Sequence, residues 1–108
     1  MSNFNKYPHA VIIHFNHGLD KLEEIHELEK KLSLIIENNH LGFYDGHELA
    51  MDNSDGFLYM YGKNAETLFK AVLPALKKHP LMQGATVHLQ FGDIRENPKC
   101  IDVRLEDV

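Results

Sequence analysis

Phe57-Leu58-Tyr59-Met60-Tyr61 alternates three aromatic rings with two aliphatic side chains, and the reading of this stretch decides the fold. A period of two marks a strand, whose successive side chains point to opposite sides. Leu58 and Met60 suit a side covered by helices, which leaves Phe57, Tyr59 and Tyr61 on an open side. Just before it, Asp52-Asn53-Ser54-Asp55-Gly56 is a run of turn formers with an Asp-Gly pair,. Leu41 to Met51 then reads as the other strand of a hairpin. Gly46, following Asp45, predicts a bulge or bend within it.

Beyond the hairpin, Asn64 is a good N-cap for a helix whose buried stripe is Ala65, Leu68, Phe69, Val72 and Leu76,. Pro74 removes one helical hydrogen bond and predicts a kink near residues 70 to 74; His79-Pro80 ends the element,. Ala85 to Phe91 alternates again, with Val87, Leu89 and Phe91 on one face and Thr86, His88 and Gln90 on the other. Ile101, Val103 and Leu105 alternate with Asp102, Arg104 and Glu106, as an edge strand should,.

Upstream, Pro8 to Phe15 carries the β-branched run Val11-Ile12-Ile13 of a central strand,. Val11, Ile13 and Phe15 suit the helix side, so Ile12 and His14 fall opposite. Asp20 and Glu23 have the spacing of a capping box and open a helix. Its apolar stripe is Leu22, Ile25, Leu28, Leu32, Ile35 and Ile36. Glu23, Glu24, Glu27, Glu29, Lys30 and Lys31 fill the solvated face. The basic pair Lys30-Lys31 is read as favouring the C-terminal end of the dipole, and Asn38-Asn39 with Gly42 as the stop.

The predicted order is β-α-β-β-α-β-β. It reads as an α+β fold of ferredoxin-like (split βαβ) type: an antiparallel sheet with two helices on one face, βαββαβ plus an extra C-terminal strand. The chain of 108 residues is read as a single domain, 1–108,. In this arrangement the first strand lies between the third and fourth, which makes His14, Tyr59 or Tyr61, and His88 near neighbours.

Composition narrows the function. Eleven basic against sixteen acidic residues give a net charge of −5, which disfavours a partner bound through its phosphates,. The apolar run Ala10 to Ile13 is far short of the roughly 18 to 20 residues a membrane span needs. No secretory signal is read at the start, so a cytoplasmic setting is expected,. Cys100, the sole cysteine, has no disulfide partner and reads as a packed strand residue.

Eight histidines is a high count for this length. His14, Tyr59, Tyr61, His88 and Gln90 are placed together as a binding face. Tyr44, Asp45 and His47, in the segment Gly42-Phe43-Tyr44-Asp45-Gly46-His47-Glu48, form a second candidate; alternation puts Asp45 and His47 on one face and Glu48 on the other,. His14 and His17 have an H-x-x-H look but face opposite ways on a strand. His26 and His79 read as structural, His79 serving the dipole of the second helix. The chain has no phosphate-binding glycine loop, dinucleotide fingerprint, nucleophile elbow or zinc-protease motif,. No catalytic residue, cofactor or metal is assigned.

The segment Gly42 to Glu48, then Leu58-Tyr59-Met60-Tyr61-Gly62, then Leu68-Phe69 through Val72-Leu73-Pro74, resembles a family of small uncharacterised bacterial proteins. Those carry a Gly-x-Phe-Asp-Gly-x-Glu segment, a Tyr-Gly turn and a proline in the following helix. The likeness covers residues 42 to 92 and departs at Tyr44, where the family has phenylalanine. It implies a bacterial origin and a compact α+β fold, and brings no site residues.

The expected function is a non-enzymatic protein-binding module, in its most specific form an immunity or antitoxin-type inhibitor that caps a basic toxin. The alternative is a dimeric ferredoxin-like protein or enzyme that holds a small molecule on the open sheet face. A protein partner or a homodimer is expected, with no nucleic acid and no membrane.

Overall fold

Hydrogen bonds at the start of the second helix show how local chemistry and tertiary packing meet. Asn64 Oδ1 accepts from the Thr67 N–H at 3.0 Å, and His9 Nδ1, from a distant strand, accepts from the Ala65 N–H at 3.1 Å. Two of the donors a helix start leaves unpaired are thereby satisfied. The computed structural model describes residues 7–16, 22–50 and 55–108. The expected cap at Asp20, the histidine at 17 and the turn residues Asp52 to Ser54 lie outside them, as does the side chain of Leu22.

The elements are β1 (His9–Phe15), α1 (Leu22–Asn38), β2 (Gly42–Leu49), β3 (Gly56–Gly62), α2 (Ala65–Lys78), β4 (Thr86–Phe91) and β5 (Lys99–Arg104), with short 3-10 turns at Pro80–Met82, Ile94–Glu96 and Leu105–Asp107. The fold is α+β: one antiparallel five-stranded sheet in the order β2-β3-β1-β4-β5, and two helices. β1 therefore occupies the middle, between β3 and β4. No described helix is long and apolar enough to cross a membrane.

Both helices pack on one side of the sheet. Ile25, Leu28, Leu32 and Ile36 of α1 join Leu68, Phe69, Val72 and Leu76 of α2 over Val11, Ile13, Phe15, Leu58, Met60 and Val87 in a single core. Spacings of three and four residues on the helices, and of two on the strands, bring those side chains to one layer. β3 alternates between buried and half-buried along its whole length, as its sequence requires. Leu105 closes the layer by donating its N–H to the Ala85 carbonyl at 2.9 Å.

Pro74 lies inside α2, as read, and on its exposed side, where the loss of a backbone donor is cheapest,. Several expectations need revision. Lys30 and Lys31 sit in the middle of α1, whose last turn carries no basic residue. That helix ends instead on His40, held in the left-handed region at φ 53°. The Leu41 N–H bonds the Ile36 carbonyl at 3.0 Å and the His40 N–H the Glu37 carbonyl at 3.2 Å, the paired bonds of a Schellman stop,. The His79 side chain turns to the next element, where its Nδ1 accepts from the Leu81 N–H at 3.2 Å and caps the 3-10 turn.

The glycine bend in β2 is a true bulge. Pairing with β3 slips between Tyr44 and Gly46, so Asp45 has no opposite residue, and Gly46 takes φ 132°,. Gly42 is needed for a different reason: a Cβ there would lie 1.9 Å from the Tyr61 carbonyl oxygen.

Candidate functional site

The register of the five strands writes the uncovered side of the sheet as three rows of side chains. One row runs Phe43, Tyr61, Ala10, Gln90, Cys100. The next runs Gly46, Tyr59, Ile12, His88, Asp102, and the third Glu48, Phe57, His14, Thr86, Arg104. Every strand but the bulged β2 contributes every second residue, which is why the alternation in the sequence suffices to place most of them,.

β3 supplies a ridge of rings. Phe57 stacks on His14 with centroids 4.6 Å apart and on Tyr59 at 6.1 Å, while Tyr61 stacks on Phe43 at 5.3 Å. Tyr7 extends this line by packing on Phe43 at 5.8 Å. Beside the ridge the side chains over β1 and β4 are shorter, and an open concavity of ≈ 400 Å³ forms between Tyr59 and His88, floored by Ile12.

Polar tips around this hollow are held by carboxylates. His14 Nε2 is 3.0 Å from Asp55 Oδ2, and His88 Nδ1 is 2.7 Å from Asp102 Oδ1. The Tyr59 hydroxyl donates to Glu48 Oε1 at 2.8 Å. Partial burial, then the Glu48 carboxylate, push the Tyr59 phenol up from its ordinary value; burial, then the charge of Asp45, do the same to Tyr61,. Both phenols are therefore neutral donors at neutral pH, not bases.

A second polar cluster lies across the sheet, between β2 and α1. Tyr44 donates to Glu29 Oε2 at 2.5 Å, His47 Nδ1 sits 2.9 Å from the same oxygen, and the His26 ring is 6.2 Å from that of His47. The Glu29 side chain is only 15% exposed. Burial, followed by the hydrogen bond to Glu29, drives the Tyr44 phenol far above its ordinary range. These three groups tie helix to strand.

The sequence reading divides accordingly. His14, Tyr59, Tyr61, His88 and Gln90 share the open side, although Gln90 is turned inward and donates to the Gly92 carbonyl at 2.9 Å. Tyr44 and His47 lie on the helix side, and Asp45 occupies the bulge. The pairing of Asp45 with His47 on one face is overturned: past the bulge the alternation inverts, so His47 turns toward α1 and Glu48 toward Tyr59. Cys100 is exposed, not packed. Glu29, read as solvated, is instead tucked under β2. The carboxylates of Glu48, Asp55 and Asp102 were missed as partners; the alternation of β5 already placed Asp102 on the side of His88. Among the described residues no three His, Cys, Asp or Glu side chains are placed to hold a metal ion together.

Comparisons with family models, with curated proteins and with solved structures return no match to this chain.

Proposed function

We propose that this chain is a non-enzymatic protein-binding module of ferredoxin-like type, and that the open side of its sheet is the contact surface. The strand order with β1 in the middle and both helices on one side supports the ferredoxin-like reading. The observation that carries the functional reading is the ridge Phe57, Tyr59, Tyr61 and Phe43, half-exposed and bordered by ordered carboxylates. Aromatic side chains with a neutral polar tip contribute large contact area at little entropic cost, and protein interfaces are enriched in them. Glu48, Asp55 and Asp102 around the ridge, with a net charge of −5, favour a cationic partner surface,. An immunity or antitoxin-type inhibitor in a bacterial cytoplasm, capping a basic toxin, is the specific form of this reading.

Capture experiments test it. Tagged wild type, a Tyr59→Ser variant and a control altered on the exposed side of α2, Glu66→Ala, are compared on one bacterial extract. A defined protein retained by wild type and control but lost by Tyr59→Ser supports the reading. Retention by all three places the contact elsewhere and sinks it.

One observation favours a second reading. The hollow of ≈ 400 Å³ between Tyr59 and His88 has the size of a small-ligand site and holds two histidine–carboxylate pairs,. A small molecule that co-purifies with wild type and is lost in His88→Ala would decide for it.

A further inference from the structure

We propose that the open side of the sheet is closed, in the absence of another partner, by a second copy of this chain, related by a two-fold axis running along β1. The proposal rests on the reading of this side as a protein contact surface and names its resting occupant.

The argument begins with relief. On the open side β3 is high (Phe57, Tyr59, Tyr61), with His14 of β1 stacked on Phe57, whereas Ile12, Thr86 and His88 leave a hollow beside Phe57 and Tyr59. A ridge beside a hollow is a shape that fits itself once one copy is turned over. Because β1 is the middle strand, a two-fold axis along it exchanges β3 with β4 and β2 with β5. Each ridge then drops into the partner copy's hollow. Tyr59 faces the His88 position, Tyr61 the Gln90 position and Ile12 its own counterpart.

The alternative axis, across the strands, sets ridge against ridge and Asp102 against Asp102. It would hold the sheets apart and repel.

Charge selects the same axis. The third row ends in Glu48 on β2 and Arg104 on β5, at opposite edges of the sheet. Turning one copy about β1 lays Glu48 of each over Arg104 of the other, so the contact carries two such pairs at its rim. Asp102 meets Gly46 and no like charge. Arg104 already donates to Glu106 of its own chain, but its guanidinium has donors to spare and both groups are exposed,. The cationic group that the acidic edge of the ridge calls for is thus carried by this chain itself.

Five strands at normal spacing and a seven-residue β1 give a footprint of roughly 20 by 20 Å per copy,. The two faces together cover about 800 Å², below the about 1,200 Å² of a standard stable interface, so the dimer should be weak and concentration-dependent.

Analytical ultracentrifugation of wild type across a micromolar dilution series is the first measurement, with circular dichroism to confirm folding of each variant. The expected result is a monomer–dimer equilibrium. Glu48→Arg alone and Arg104→Glu alone should each weaken it about tenfold, and the double exchange should restore it. A monomer throughout the series overturns the proposal, and so does a dimer whose variants show no rescue, which would dock by another surface. The two readings separate on Tyr59→Ser. A monomeric wild type whose Tyr59→Ser variant loses a captured protein removes the dimer and keeps the contact surface. A monomeric wild type whose capture survives Tyr59→Ser removes both.

Discussion

The two sides of β2 present nearly the same chemistry under opposite conditions. Toward α1, Tyr44 and His47 share the Glu29 carboxylate in a half-buried seam. Toward the open side, Tyr59 uses Glu48 and, two strands away, His88 uses Asp102, all at the surface. Phenol, imidazole and carboxylate recur; what changes is water. Where solvent is excluded, each missing partner leaves a desolvated polar atom behind, and where it is not, water replaces the partner at little cost. The first set is therefore structural, while the second is free to serve a contact.

The largest expected effect tests whether the two sides of β3 differ as strongly as those of β2. Leu58→Ala, in the fully buried layer, should cost about 3 kcal/mol, whereas Tyr59→Ala next to it should cost about 1 kcal/mol or less,. Urea unfolding of both variants measures the gap; equal losses would mean that the ridge is part of the core. Next, Tyr44→Phe should destabilise by about 1 to 2 kcal/mol, because Glu29 loses a donor in a site that is 15% exposed,. Tyr59→Phe should change stability by less than about 0.5 kcal/mol. A reversed order would break the comparison.

Acid sharpens it further. Burial lowers the His9 imidazole below its ordinary 6.5, and its Nδ1 must stay unprotonated to accept from Ala65. The unfolded chain then binds this proton more readily than the folded one. The contribution of His9 is complete above 6.5 and declines as the pH falls from 6.5 through the lower folded value,. His9→Asn should flatten that part of the stability–pH curve in urea melts, by less than the Tyr44→Phe loss. An unchanged slope would show that His9 is not the group responsible.

Most of the fold was legible because its signals are local. The alternation of Phe57 to Tyr61 and the three-and-four spacing of Ile25, Leu28, Leu32 and Ile36 each name an element and a buried side from a handful of neighbouring residues,. His14, Tyr59 and His88 followed, since strands and sides once assigned leave little choice of neighbours. Three things were misread. Glu29 follows Leu28 at the border of the helix stripe, and a rotation of about 100° per residue is too coarse to say whether a border residue meets water or a strand. The Asp45–Gly46 pair announced a bulge without saying which residue would lose its opposite number, and that choice decides where His47 and Glu48 point. Cys100, read as packed, falls by the alternation of β5 with Asp102 and Arg104 on the open side, where an edge strand has nothing above it.

The extra residue at position 45 works as a shift of phase. Everything in β2 before it follows one alternation and everything after it the complementary one, so the bulge decides on which side of the strand Glu48 and His47 stand. Were Asp45 paired opposite Tyr59 instead of bulged out, His47 would take the place of Glu48 on the open side without a change of sequence,. The surface character of this protein is thus set by which residue of β2 is left unpaired as much as by composition.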